Sequence, residues 1–231
     1  MATQEENIPE SAPAQGGGGG VSFAADVQEL MRRVQLDPAQ VDAVLEQLKE
    51  MAKTTYANDI QQITLARLRV LVEAGRSENA LVLAKKLLAI LLPNNQDQTA
   101  SLAYRCLGSA RRELELEPEL HKRLSRALRK TNHFRDAAWS YFRAMELLGT
   151  PAEGHDVCLQ IASEAEKAEK PLEAMAIYRF VLKQWPDTNM KDFVLSSMEF
   201  QELKIRRQKE EQEEAEQLAK AQAAKDDLPT F

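Results

Sequence analysis

The residues able to do chemistry are few and scattered. His121, His133 and His155 are far apart and match no zinc-ligand spacing. The chain has no CxxC, no HExxH and no glycine-rich phosphate loop. The glycine run Gly16 to Gly20 precedes no lysine–serine pair, so it does not read as a Walker loop. No serine, histidine and acid cluster along the sequence, although members of a triad need not be sequence neighbours. The sequence therefore assigns no catalytic residue, no metal ligand and no cofactor, and it predicts a non-catalytic protein.

One group of side chains does stand out. Lys122, Arg123, Arg126, Arg129, Lys130 and Arg135 follow one another with no acid until Asp136, in a chain whose formal net charge is −6. Two readings are open. The strip is a solvated face, or a partner for the glutamates at 113, 115, 117 and 119. Alternatively it is a docking strip for an acidic peptide or a phosphate. The negative net charge and a pI near 5.3 argue against wholesale wrapping of nucleic acid.

The elements that must carry these residues are helical. The stretch from His155 to Pro186 reads as two helices joined by a tight turn. Val157, Ile161, Ala162, Ala165 and Ala168 recur at helical spacing, and Pro171 stands where a second helix can begin. That helix carries Leu172, Ala176, Ile177, Val181 and Leu182 and stops before Pro186, because the residue ahead of a proline is pushed out of the α region. Inside it, Ala174-x3-Tyr178 is a small–aromatic pair, repeated as Ala137-x3-Tyr141 and, with a second alanine, as Ala80-x3-Ala84. Tyr104-x2-Leu107-Gly108 approximates W-x2-L-G, with Arg111 where a further aromatic belongs.

On these residues the chain resembles the tetratricopeptide repeat family over about Asn58 to Thr188. The resemblance implies an all-α fold, an α-solenoid of antiparallel helix hairpins. It also implies a groove of first helices that binds peptides. The family's carboxylate clamp is not matched residue by residue, so no clamp residue is carried over. A two-helix unit cannot bury its own apolar face, so such units must stack. The uneven spacing of Ala80, Ala137 and Ala174 predicts an extra helix between Pro93 and Asn132.

The remaining chain falls into place around this. Residues 1–22, rich in glycine and proline, read as a disordered tail. Residues 23–56 read as a capping helix hairpin or, alternatively, as a separate dimerisation element, with Asp37-Pro38 starting its second helix. Residues 57–190 hold the repeats. Here the helix with Leu81, Val82, Leu83, Leu87, Leu88, Ile90 and Leu91, apolar nearly all round, is expected at the centre of the core. A helix carrying Leu102, Tyr104, Leu107 and Leu114 is expected to run to Glu117-Pro118. Residues 191–231 are an extended helix and a polar acidic tail. Phe193, Val194, Met198, Phe200 and Leu203 are expected to pack on the last repeat. The helix beyond Ile205 projects into solvent with a thin small-residue stripe, too weak for a confident coiled coil. The acidic tail, with Asp226 and Asp227 before Phe231, complements the basic strip and is expected to occupy it.

No apolar run approaches the roughly 20 residues that cross a bilayer, and no basic n-region precedes an apolar stretch. Cys106 and Cys158 form no close pair, which fits free thiols in a reducing compartment, the cytoplasm. The leading expectation is an adaptor or scaffold that binds a protein or peptide partner. The alternative is an RNA- or ribosome-associated helical protein that uses the strip from Lys122 to Arg135.

Overall fold

The computed structural model describes residues 20–54 and 57–226, with side chains placed over 25–54 and 60–219. The tail expected over 1–22 lies outside the described residues except for 20–22, which already belong to a helix, and the acidic end 227–231 lies outside them too. The protein is all-α: among the described residues there are ten α-helices, three short 3-10 segments and no strand. No described helix is long and apolar enough to cross a membrane. The chain divides between Ala74 and Gly75 into two compact units, later than the boundary at 56/57 drawn from sequence.

The first unit contains α1 (Gly20–Leu36), α2 (Val41–Thr54) and α3 (Ala57–Glu73). The Asp37 carboxylate accepts the Ala39 N–H at 3.0 Å. With Pro38 next in sequence, this cap opens a 3-10 turn, Pro38–Gln40, that leads into α2. Leu30, Val34, Val41, Val44, Leu48, Ile63, Ala66 and Val70 bury one core between the three helices. Sequence reading places α3 with the repeats of 57–190; here it packs on α2 and α1.

The second unit is a succession in which each helix packs on the next. It comprises α4 (Ser77–Leu91), α5 (Asp97–Cys106), α6 (Pro118–Lys130), α7 (Phe134–Leu147), α8 (Gly154–Lys167), α9 (Pro171–Gln184) and α10 (Lys191–Asp226). In addition α7 packs on α9. The hairpin read between His155 and Pro186 is present as α8 and α9, with Pro171 at the first helical position. Ala80, Ala137 and Ala174 have no exposed surface. A small residue at these positions lets two helix backbones approach closely, which is why an alanine recurs there.

One turn design recurs. Helices α6, α7 and α8 are each followed two residues after their end by a left-handed residue, Asn132, Gly149 and Glu169, and the turn after α4 carries one at Asn95. After each, the next N–H reaches back to a carbonyl of the last turn, as in Gln96 to Leu91, His133 to Leu128, Thr150 to Met145 and Lys170 to Ala165, at 2.8–3.1 Å. This satisfies carbonyls that a helix end leaves open.

Three expectations are corrected. The helix carrying Tyr104 ends at Cys106, not at Glu117. Gly108 takes φ +57°, which a side-chain-bearing residue rarely adopts, and the chain continues as a 3-10 segment, Gly108–Glu113. Helix α4 is not buried all round: Leu87, Leu88 and Leu91 are buried, but Val82 and Ile90 are 55% and 59% exposed. On α10, the side that docks presents Val194 and Gln201, both buried, while Phe193, Phe200 and Leu203 are half or more exposed. The buried Gln201 donates to the Glu166 carboxylate at 2.7 Å, a bond that ties α10 to α8.

A candidate docking cleft between α7 and α9

Helices α7 and α9 lie side by side in the second unit, and the small residues Ala138 and Ala176 leave room between them. The space is a cleft of about 370 Å³. Its floor is apolar and aromatic, with Trp139, Ile177 and Phe180. Its rim is basic, with Arg111 and Arg112 from the 3-10 segment, Arg135 from the first turn of α7 and Lys183 from the last turn of α9. The two arginines follow the left-handed turn at Gly108.

The floor is held by edge contacts between rings. Trp139 meets Phe180 at 5.9 Å between centroids, Phe142 meets Phe180 at 5.1 Å, and Trp185 continues the chain against Phe142 at 5.6 Å. Edge-to-face pairs of this kind fix ring orientation as well as burying area. Trp139 and Phe180 keep part of their surface open to solvent.

The rim is partly neutralised by design. Arg111 pairs with Asp136 at 3.0 Å, and both side chains are mostly buried. The Arg111 guanidinium also lies 6.0 Å from the centre of the Tyr104 ring. It therefore fills, by cation–π contact, the place where the sequence pattern asks for an aromatic. Burial and then the nearby Asp136 charge push the Tyr104 phenol well above its usual range. A second cavity, lined by Arg105, Arg111, His133, Arg135, Asp136 and Glu173, shares Arg111, Arg135 and Asp136 with the first. There Arg105 donates to Nε2 of His133 at 2.9 Å. Burial, then the Arg105 charge, lowers the His133 pKa, so the ring is an acceptor and not a cation. The Arg135 backbone N–H donates to Glu173 at 3.1 Å, and its side chain lines both cavities.

The six cations singled out by sequence do not form one surface. Arg129 makes a two-pronged pair with Glu164 of α8, with its Nε donating at 2.8 Å. Lys130 pairs with Asp97 of α5 at 2.6 Å, and Arg123 with Glu119 one turn back at 3.3 Å. Lys122 is half-buried and Arg126 exposed, and neither has an ion pair among the described residues. Only Arg135 reaches the cleft. Two of the five α6 cations, Arg129 and Lys130, therefore tie α6 to other helices. Beneath the strip, His121 is buried, with its Nδ1 3.2 Å from Ser140 Oγ, whose hydroxyl donates to the His121 carbonyl at 3.0 Å. These two bonds fit together when Nδ1 carries the proton. Burial first, and then the Arg143 charge, pushes the His121 pKa down to about 4.

Sequence reading missed Arg111, Arg112, Phe180 and Lys183. The one available signal was Arg111 in an aromatic's place. Trp139 stands in the cleft, and where it stands in α7 the matching position of α9 is the small Ala176.

A second arrangement has the outline of a catalytic relay. Thr188 Oγ1 lies 2.8 Å from His155 Nε2, and His155 Nδ1 lies 2.7 Å from Asp156 Oδ1. Its parts do other work. Thr188 accepts the Met190 N–H at 3.2 Å and so caps the approach to α10. Asp156 is 94% exposed, unlike the buried acid of a working triad. The His155 ring meets the Trp185 ring edge-on at 5.4 Å. The trio joins α8 to the start of α10. No three His, Cys, Asp or Glu side chains group as metal ligands among the described residues.

No family model matches this chain, and neither a curated protein nor a solved structure matches it.

Proposed function

We propose that the second unit is a tetratricopeptide-like stack of helix hairpins and that the protein is a non-catalytic adaptor. It holds an acidic segment of a partner protein in the cleft between α7 and α9. The observation that carries this is the combination of a basic rim, Arg112, Arg135 and Lys183, with the half-open aromatic floor of Trp139 and Phe180. Cations set the orientation of a carboxylate-bearing segment, and an aromatic floor supplies the apolar anchor that concentrates binding energy. The recurring left-handed helix ends and the buried alanines support the repeat reading. The cleft lies between second helices, not on the groove of first helices that the resemblance implies. Two free cysteines support a reducing compartment, the cytoplasm.

The test is capture by a photo-crosslinking residue placed at Lys183 in the full chain. A protein cross-linked at that site, and lost with Trp139→Ala, supports the reading. The RNA- or ribosome-associated reading is drawn from the strip Lys122 to Arg135, of which Arg135 lines the cleft, and the cleft's pairing of cations with rings also suits stacked bases. Its signature is different: retained RNA whose affinity falls steeply with salt as phosphate counterions are released. If the cross-link goes to RNA, the adaptor reading is wrong.

A further inference from the structure

We infer that α10 pairs antiparallel with α10 of a second copy of this chain. The helix is 36 residues long, and every described side chain beyond Ile205 is exposed. Most helical stability in proteins comes from packing of a face, and this length of α10 packs no face on its own chain among the described residues. Its sequence supplies such a face. Phe200, Lys204, Arg207, Glu211, Glu214 and Leu218 share one stripe at alternating spacings of four and three, the spacing of a two-stranded coiled-coil seam, with apolar residues only at its two ends and charges between them. The seam lies round the helix from Val194 and Gln201, which dock on the rest of the unit, so both faces can be covered at once.

The order of residue types along the seam decides the occupant. Phe200 and Leu218, 56% and 70% exposed, stand at the two ends. Two cations and then two anions stand between them. Set a second α10 antiparallel, with the pair centred on Lys209, and each layer is complementary. Phe200 meets Leu218, Lys204 meets Glu214 and Arg207 meets Glu211, and two-fold symmetry repeats each contact. A parallel in-register pair would instead set Lys204, Arg207, Glu211 and Glu214 each against itself, four like-charged layers. Charged layers in a seam cost stability but fix register and direction.

The charges are also available. Lys209 and Glu213, on the opposite face, pair along the helix at 3.7 Å. Arg207 and Glu211 have the same spacing but make no ion pair among the described residues, and neither do Lys204 and Glu214. The Lys204 Nζ rests 4.9 Å from the centre of the Phe200 ring, which holds its charge at the seam.

Sedimentation equilibrium of the full chain tests this, run from about 1 to about 100 µM, since self-association follows mass action. The expected result is a monomer–dimer equilibrium. Arg207→Glu or Glu211→Arg alone should weaken it about tenfold, because two symmetry-related pairs become repulsive. The double variant should restore it. In a Cys106→Ser background, Lys204→Cys mixed with Glu214→Cys should form an interchain disulfide. Lys204→Cys alone should not, because the two thiols of an antiparallel pair are held about 15 Å apart along the axis. A monomer throughout, a double variant that stays weak, or self-linking of Lys204→Cys overturns the inference. So does association that ignores both single reversals.

Discussion

The two basic regions of the second unit make different use of the same residue types. On α6 the cations come from one helix, and three of them are committed: Arg123 to its own helix, Arg129 to α8 and Lys130 to α5. At the cleft the cations come from separate segments, the 3-10 segment, α7 and α9, and only Arg111 is firmly paired. A run of like charge in sequence is divided by the fold, with Arg129 and Lys130 paired to neighbouring helices and Arg126 left exposed. A binding rim is assembled by the fold from residues that are distant in sequence. The comparison holds that the α6 cations act on stability and the rim cations on binding.

The largest expected effect removes the support common to both. Leu128→Ala, at a fully buried position of α6, should cost about 2–5 kcal/mol in urea unfolding. A change below about 1 kcal/mol would mean that α6 is not packed as described. Next comes acid. His121 stays neutral in the fold until pH falls to about 4, while the unfolded chain takes up its proton near 6.5. The fold therefore has its full stability above pH 6.5 and loses about 3 kcal/mol from this group on going down to pH 4. His121→Gln should flatten that part of the profile; an unchanged slope in the variant removes His121 as its source.

Arg129→Ala sharpens the comparison. Its pair with Glu164 is about one-quarter to one-third exposed, so screening limits the loss to about 1 kcal/mol. A double-mutant cycle with Glu164→Ala should show coupling, and partner capture should be unaffected by either change. The smallest effect on stability belongs to the rim. Arg135→Ala and Lys183→Ala should each stay within about 0.5 kcal/mol of the parent, yet reduce capture several-fold. If Arg135→Ala unfolds the chain as readily as Arg129→Ala, the two regions do not differ in the way described.

Much of this fold is legible in the sequence where local and tertiary signals agree. Pro171 and Pro186 bracket α9 because proline limits backbone conformation regardless of context. Ala137 and Ala174 show where helices meet because the contact excludes larger side chains. Legibility fails where tertiary packing chooses among equally good faces. On α10, the docking side includes the polar Gln201, which the Glu166 carboxylate makes affordable to bury, and the richer apolar side of Phe193, Phe200 and Leu203 is left out. On α4, Val82 and Ile90 look like core residues and are half exposed. The cleft was hidden for a related reason. It is lined by the arginines that follow Gly108 and by Ala176 opposite Trp139, and no one segment holds them all.

Cys158 carries a consequence of the α7–α8 packing. Its thiol has no exposed surface, its Sγ is 3.8 Å from the Ala138 carbonyl, and burial pushes its pKa up to about 12. At neutral pH only about one thiol in 10⁵ is then the reactive thiolate. An alkylating reagent must wait for α8 to lift from α7 before it can react at all. The rate at which Cys158 is labelled, with half-buried Cys106 as the internal reference, is therefore a stopwatch for the opening of that seam in the native protein.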